Sequence, residues 1–301
     1  MATTGIETAS RVRSRALASR FSWVWVGLLP FALFIFVFLL YPAASIVTQS
    51  VRDEQQHLTL RNLANLTDPF IRSSYLYTIR LSAITALAGG VLGCLMVYAV
   101  TTGRLPQPVR STLLSFSGVA SNFAGIPLAF AFIATLGNLG LVNTLLANFG
   151  LSLRDLGFSL YGFWGLALTY IYFQIPLMIL VMAPTFDGLR HEWNEAAESL
   201  GATTWQYWRY IGIPVLLPSV LGGMVLLFGN AFGAHATAFA LTGGGGGTKV
   251  VTILIGSQLS GDAQINPGRG NAMAVGMIVV MVLTIVPYVL LQRLAERWTK
   301  R

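Results

Sequence analysis

Residues 195–214 read EAAESLGATTWQYWRYIGIP, a polar stretch in a chain that is 54% hydrophobic and 10% charged. Soluble domains carry roughly 25% charged residues, so this chain has too few charges to cover a water-facing surface. Apolar windows of about 20 residues, enough to cross a bilayer, fall near 22–47, 75–101, 113–137, 161–184, 215–240 and 272–293. None of these windows contains Asp or Glu. They imply an all-α fold, a polytopic membrane protein with six transmembrane helices. The quoted stretch then lies on a loop, about 185–214, between the fourth and fifth spans.

The first window follows Arg11, Arg13, Arg15 and Arg20, as a signal peptide would. Its apolar run, Trp23 to Tyr41, exceeds the roughly 7–15 residues of a secretory core and reads as a retained helix. With the N-terminus inside, 12 of the 19 basic residues fall on inner segments, among them Arg104, Arg110, Arg190, Arg293, Lys300 and Arg301. Basic residues near span ends set orientation, so both termini are expected in the cytoplasm. The net charge of +8 is thereby a topology signal, and no nucleic-acid partner is called for. The single cysteine, Cys94, sits inside the second span and forms no intrachain disulfide.

Within the loop, HEWNEAAESL is rich in helix formers and Gly201 stops it in the usual C-terminal position. Thr203 and Gln206 have the spacing of a capping box that restarts a helix through Trp205, Tyr207 and Trp208. Pro214 stands where that second helix is expected to end. A helix lying on lipid headgroups is rich in Lys and Arg. This loop has two arginines against four acids, which favours a protein partner.

The same residues resemble the signature of the inner-membrane permease subunits of ABC importers: Glu-Ala-Ala, three residues, Gly, nine residues, then Ile-x-Leu-Pro. Glu195, Ala196, Ala197, Gly201, Ile211, Ile213 and Pro214 fit that spacing, with Ile213 in place of Leu. The resemblance implies a coupling helix that docks on an ATPase subunit. Glu195 would make polar contacts, Ala196 and Ala197 would permit close approach, and Gly201 would make the turn. It further implies two ATPase subunits inside, an extracytoplasmic solute-binding protein, and a second permease or second copy of this chain, all at a bacterial inner membrane. ATP and Mg would bind the ATPase subunits, and this chain would carry no cofactor and no enzymatic activity. On this basis 1–21 is a cytoplasmic tail and 22–301 a six-helix transmembrane permease domain. The runs GNAFGAHATAFALTGG and VVTILIGSQLSGD look most like permeases of the polyamine, aminoethylphosphonate and iron type.

The run Gly243 to Gly247, followed by Thr248 and Lys249, mimics a phosphate cradle. A P-loop places Lys before the hydroxyl residue; here the order is reversed, so a glycine turn is the better account. Polar residues inside the spans are candidates for a solute path, because burying them in lipid is costly. These are Asn122, Tyr170, Gln174 beside Pro176, Asn230, and His235 with Thr237. Such residues also serve as interhelical hydrogen-bonding groups; for Asn122 and Asn230 the two readings stand level, and for Gln174 the path reading leads. His235 has no Cys, His or carboxylate neighbours in sequence that would make it a metal ligand. The expected cargo is a small polar solute, polyamine-like, phosphonate-like or similar. A sugar-type importer permease and an ion-driven secondary transporter are the alternatives. The second usually needs an intramembrane acid or a broken-helix ion site, and the spans hold no acid.

Overall fold

The computed structural model describes residues 23–53, 55–102, 106–244, 249–260 and 266–299. The 1–21 tail, Arg104, Gly245 to Thr248, Lys300 and Arg301 therefore lie outside the described residues. Those described residues form helices and turns with no β-strand, only an isolated bridge between Arg52 and Leu58.

The first span comprises α1 (Trp23–Ile35), a π-helical turn (Phe36–Leu40) and α2 (Tyr41–Ser50). A short α3 (Arg61–Ala64) precedes the second span, α4 (Pro69–Thr102). Then come α5 (Gln107–Asn122), α6 (Ile126–Leu136) and α7 (Leu141–Ala147). The fourth span is α8 (Phe163–Asp187), followed by α9 (His191–Ser199) and α10 (Thr204–Tyr207). A second π-helical turn (Trp208–Gly212) leads into α11 (Ile213–Phe232). The chain closes with α12 (Ala236–Thr242), α13 (Val251–Ser260) and α14 (Pro267–Thr299). Among the described residues six helical stretches are long and apolar enough to cross a membrane: Gly27–Ser50, Pro69–Thr101, Ile126–Ala147, Phe163–Asp187, Thr204–Phe232 and Pro267–Leu290. In lipid every backbone polar group must be satisfied within the protein, which is why these apolar segments are helical.

α8 is the most buried span and the centre of the bundle. It packs against α4 through small residues, because lipid offers no hydrophobic drive and helices associate by close approach. A Cβ at Gly89 would stand 2.7 Å from the Cβ of Gln174, and one at Gly93 only 2.5 Å from that of Met178. α11 completes this trio, with Leu227 buried beside Met178 and Met182. Pro176 lies inside α8 without ending it, so the helix runs on to Asp187. The first span is peripheral: α2 rests on α14, where Asn271 Nδ2 donates to Gln49 Oε1 at 3.1 Å, while Phe31, Phe34, Phe36 and Phe38 face outward.

Two spans differ from the sequence expectation. The window 113–137 is not one helix; α5 ends at Asn122 and α6 starts at Ile126. Gly125 has φ 74° and ψ −142°, a conformation that a side chain would forbid, and Pro127 then occupies the second position of α6. The window 215–240 is also broken, with Gly233, Ala234 and His235 separating α11 from α12. At its other end the fifth span begins earlier, at Thr204, and Pro214 does not terminate it. A proline ring ordinarily collides with the carbonyl four residues back. The π-helical turn Trp208–Gly212 lies immediately before Pro214 and widens the helix there, so the chain continues as α11.

Candidate functional site

The sequence signature forms a hairpin at one end of the bundle. α9 ends after Ser199, Leu200 projects with 88% exposure, and Gly201 reverses the chain at φ 78°. A side chain at that φ costs roughly 1–2 kcal/mol, so the turn is written into the glycine. The expected capping box is present: Gln206 N–H donates to Thr203 Oγ1 at 3.3 Å, and Thr203 N–H donates to Gln206 Oε1 at 2.7 Å. Trp208 packs edge-on to Tyr98 of α4, ring centres 5.0 Å apart, and anchors the hairpin to the second span. At the same end Arg110 at the start of α5 pairs with Asp187 at the end of α8.

Glu195 and Ala196 are exposed on α9, whereas Ala197 is buried. His191 Nε2 lies 3.7 Å from Glu195 Oε1, and Ser199 Oγ donates to the Glu195 carbonyl at 2.8 Å. One turn earlier, Glu192 is held below the usual carboxylate range, first by its own backbone N–H and then by Arg190. Between the two arms runs an apolar groove of about 460 Å³, lined by Trp193, Ala196, Ala197, Tyr207, Tyr210 and Ile211. Ile211 is half-buried and Pro214 is exposed beyond it. The hairpin thus offers an exposed carboxylate and, on the face of α9 turned to the other arm, small residues lining an apolar cleft.

The two broken spans meet elsewhere in the bundle. Gly125 N–H, freed by the break before α6, donates to Thr237 Oγ1 of α12 at 2.9 Å. The Ala234 carbonyl, freed by the other break, accepts from Tyr170 Oη and from Thr252 Oγ1, each at 3.2 Å. Irregular backbone at membrane depth survives only when buried in protein or lining a watery cavity. Here the hydroxyls of Tyr170, Thr237 and Thr252 satisfy the backbone, while Asn122 and His235 stand exposed beside the breaks. Asn230, also exposed, is one turn before the second break.

The structure therefore brings Asn122, Asn230 and His235 to the neighbourhood of the breaks and gives Tyr170 a supporting role beneath them. Gln174 is apart from this group. It is fully buried on the seam of α4 and α8, where its Nε2 donates to Thr85 Oγ1 at 2.7 Å. In this conformation neither Gln174 nor Tyr170 presents surface to a solute. Gly125 and Ala234 carry no polar side chain to mark them in the sequence, and Thr252 lies outside the six apolar windows. Their signal was the glycine-proline spacing of Gly125 and Pro127 and the Gly233-Ala234-His235 run.

A family model described as the inner membrane component of binding-protein-dependent transport systems matches residues 2–301. The chain belongs to this family. The permease is 26% identical over 213 residues to the sulfate transport system permease protein CysT of Escherichia coli, covering 70% of this chain and 72% of that one. It is 26% identical over 248 residues to the spermidine/putrescine transport system permease protein PotB of Haemophilus influenzae, covering 80% and 82%. Its fold matches, with a TM-score of 0.68 at 17% identity, a bacterial ABC transporter involved in import of the acidic polysaccharide alginate. That match covers 97% of this chain and 99% of the other. The permease is a multi-pass inner-membrane protein and the membrane-spanning subunit of a type I ABC importer.

Proposed function

We propose that this permease moves a small polar solute into the cytoplasm, driven by two ATPase subunits of which one docks on α9. The exposed Glu195 and Ala196 of the projecting hairpin, with the apolar cleft that Ala197 helps to line, carry this proposal: small residues let a partner approach closely while one carboxylate sets its register. ATP and Mg belong to the ATPase chains, and this chain contributes no nucleotide site and no cofactor. A second permease, or a second copy of this one, completes the path. Both termini face the cytoplasm, by the larger share of basic residues on the inner segments taken together, and the hairpin, an even number of spans from either terminus, shares that face.

The solute is delivered by an extracytoplasmic binding protein that does most of the selecting. Relatives named for sulfate and for spermidine/putrescine have cargoes of opposite charge. Within the described spans the only acid is Asp187, the last residue of its helix. Asn122, Asn230 and His235, beside the broken spans, are the solute-contacting groups in this scheme. A polyamine-like, phosphonate-like or comparable polar molecule fits amide and imidazole contacts of this kind.

The test is Glu195→Lys in the assembled transporter. Membrane insertion should persist, while co-purification with the ATPase subunits and binding-protein-stimulated ATP hydrolysis fall together. Full association and full stimulation in the variant would remove α9 from the coupling role.

A further inference from the structure

At the end of the bundle away from the hairpin, a cavity of about 630 Å³ opens between α4 and α14. Its lining includes Arg72 and Ser73 at the top and Leu76, Ile79, Gly276 and Val280 below. Depth follows from the helix geometry. Thr85 is joined to Gln174, which lies near the middle of α8, so Thr85 marks the level of the bilayer centre. Arg72 precedes Thr85 by 13 residues on the same helix, about 20 Å at 1.5 Å per residue. That is just beyond the roughly 15 Å half-thickness of the hydrocarbon, at headgroup level. Ile79, about 9 Å from the same reference, is inside the acyl region.

The Arg72 guanidinium is exposed and makes no hydrogen bond or ion pair among the described residues. Asp68, one turn away, is already engaged: Oδ2 faces Arg269 Nη2 at 3.2 Å and Oδ1 accepts from Phe70 N–H at 2.8 Å. A second cation follows on the same face, because Arg80 is seven residues beyond groove-lining Ser73. Arg80 is likewise exposed and without an ion pair among the described residues, and a long arginine side chain at that depth snorkels toward the headgroups.

We infer that this cavity is a binding site for an anionic phospholipid of the leaflet opposite the hairpin. Its phosphate sits on Arg72, with Ser73 as a hydroxyl donor and Arg80 approaching from below. One acyl chain lies along Leu76, Ile79 and Val280. A cation at headgroup depth directly above an apolar slot suits a molecule with a charged head and a hydrocarbon tail. A second protein helix would have to bring an acid to the same level to leave Arg72 paired. The site is independent of the transported solute and of ATP.

The experiment uses the complete transporter purified in mild detergent, supplied with phosphatidylglycerol or phosphatidylethanolamine of matched chains. Retained lipid is counted by native mass spectrometry. Phosphatidylglycerol should be retained preferentially, and Arg72→Ala should cut its retention about fivefold, the weight of one arginine at a lipid surface. Arg72→Lys should retain most of it. Val280→Trp, which fills the slot, should lower retention of both lipids. Unchanged phosphatidylglycerol in Arg72→Ala, or equal retention of the two headgroups by the parent complex, would overturn the assignment. So would an efficient cross-link from a cysteine at Leu76 to a second permease subunit, which would make the occupant a protein. Elution as an intact complex confirms that each variant has folded.

Discussion

Gln174 donates its side-chain amide to Thr85 Oγ1 across 2.7 Å, and the amide oxygen of the same Gln174 is buried with no partner among the described residues. The bond ties α8 to α4 at the point where Gly89 lets the two backbones close in. Losing one half of a buried pair costs more than losing both, because the survivor keeps its desolvation penalty. Thr85→Val leaves both polar atoms of the Gln174 amide unsatisfied and should destabilise by about 1–3 kcal/mol. Gln174→Leu removes the orphan oxygen together with the donor, and the Thr85 hydroxyl still has the Ser82 carbonyl at 3.3 Å. It should change stability by less than about 1 kcal/mol. The double variant should resemble Gln174→Leu alone. Thermal unfolding of the four proteins in detergent decides this, and a double variant as unstable as Thr85→Val would contradict the geometry.

Gly201 can be tested through its backbone rather than its size. At φ 78° with no heavy atom within 4 Å of an added Cβ, only conformation limits what fits there. Asn tolerates left-handed backbone better than other side chains, and a β-branched residue tolerates it worst. Binding-protein-stimulated ATP hydrolysis should therefore fall in the order Gly201, Asn, Ala, Val, with Gly201→Asp also impaired. An Ala or Val variant with parental activity would separate the turn from coupling.

The proposed solute path rests on residues beside the two broken spans. His235→Ala and Asn122→Ala should slow uptake into proteoliposomes of the full complex while basal ATP hydrolysis and assembly persist. Both side chains are exposed, and among the described residues Asn122 bonds only within its own helix, to the Gly118 carbonyl and Ser121, so packing should change little. Thr237→Val differs in kind: it orphans the Gly125 N–H and should lower stability by about 1–3 kcal/mol. Normal uptake by both alanine variants would return these residues to a structural role.

Orientation can be read directly. In a Cys94→Ala background, cysteines at Ser199 and Asn266 should react with impermeant reagent from opposite faces of the membrane, Ser199 from the cytoplasm. Both positions are exposed, one on the hairpin and the other just before α14. Reaction of both from the same face would exclude the alternating six-span arrangement.

The number of spans and the hairpin were legible in the sequence because both rest on local physics. An apolar run of bilayer length has one low-energy backbone in lipid, and a glycine followed by Thr203 and Gln206 carries its own turn and cap. Where the helices break was less legible. Gly125 and the Gly233–His235 run lie inside apolar windows that composition counts as continuous, and a break there is tolerated only because Thr237, Tyr170 and Thr252 reach it from other helices. Pro214 shows the converse, a local stop signal overridden by a π-helical turn. Gln174 shows the same limit for function: its amide and its neighbour Pro176 are visible in sequence, but only the approach of Gly89 and Thr85 from α4 decides that it is buried. Local propensity and hydrophobic length are properties of a segment, whereas the satisfaction of a buried polar group depends on which segments the fold brings against it.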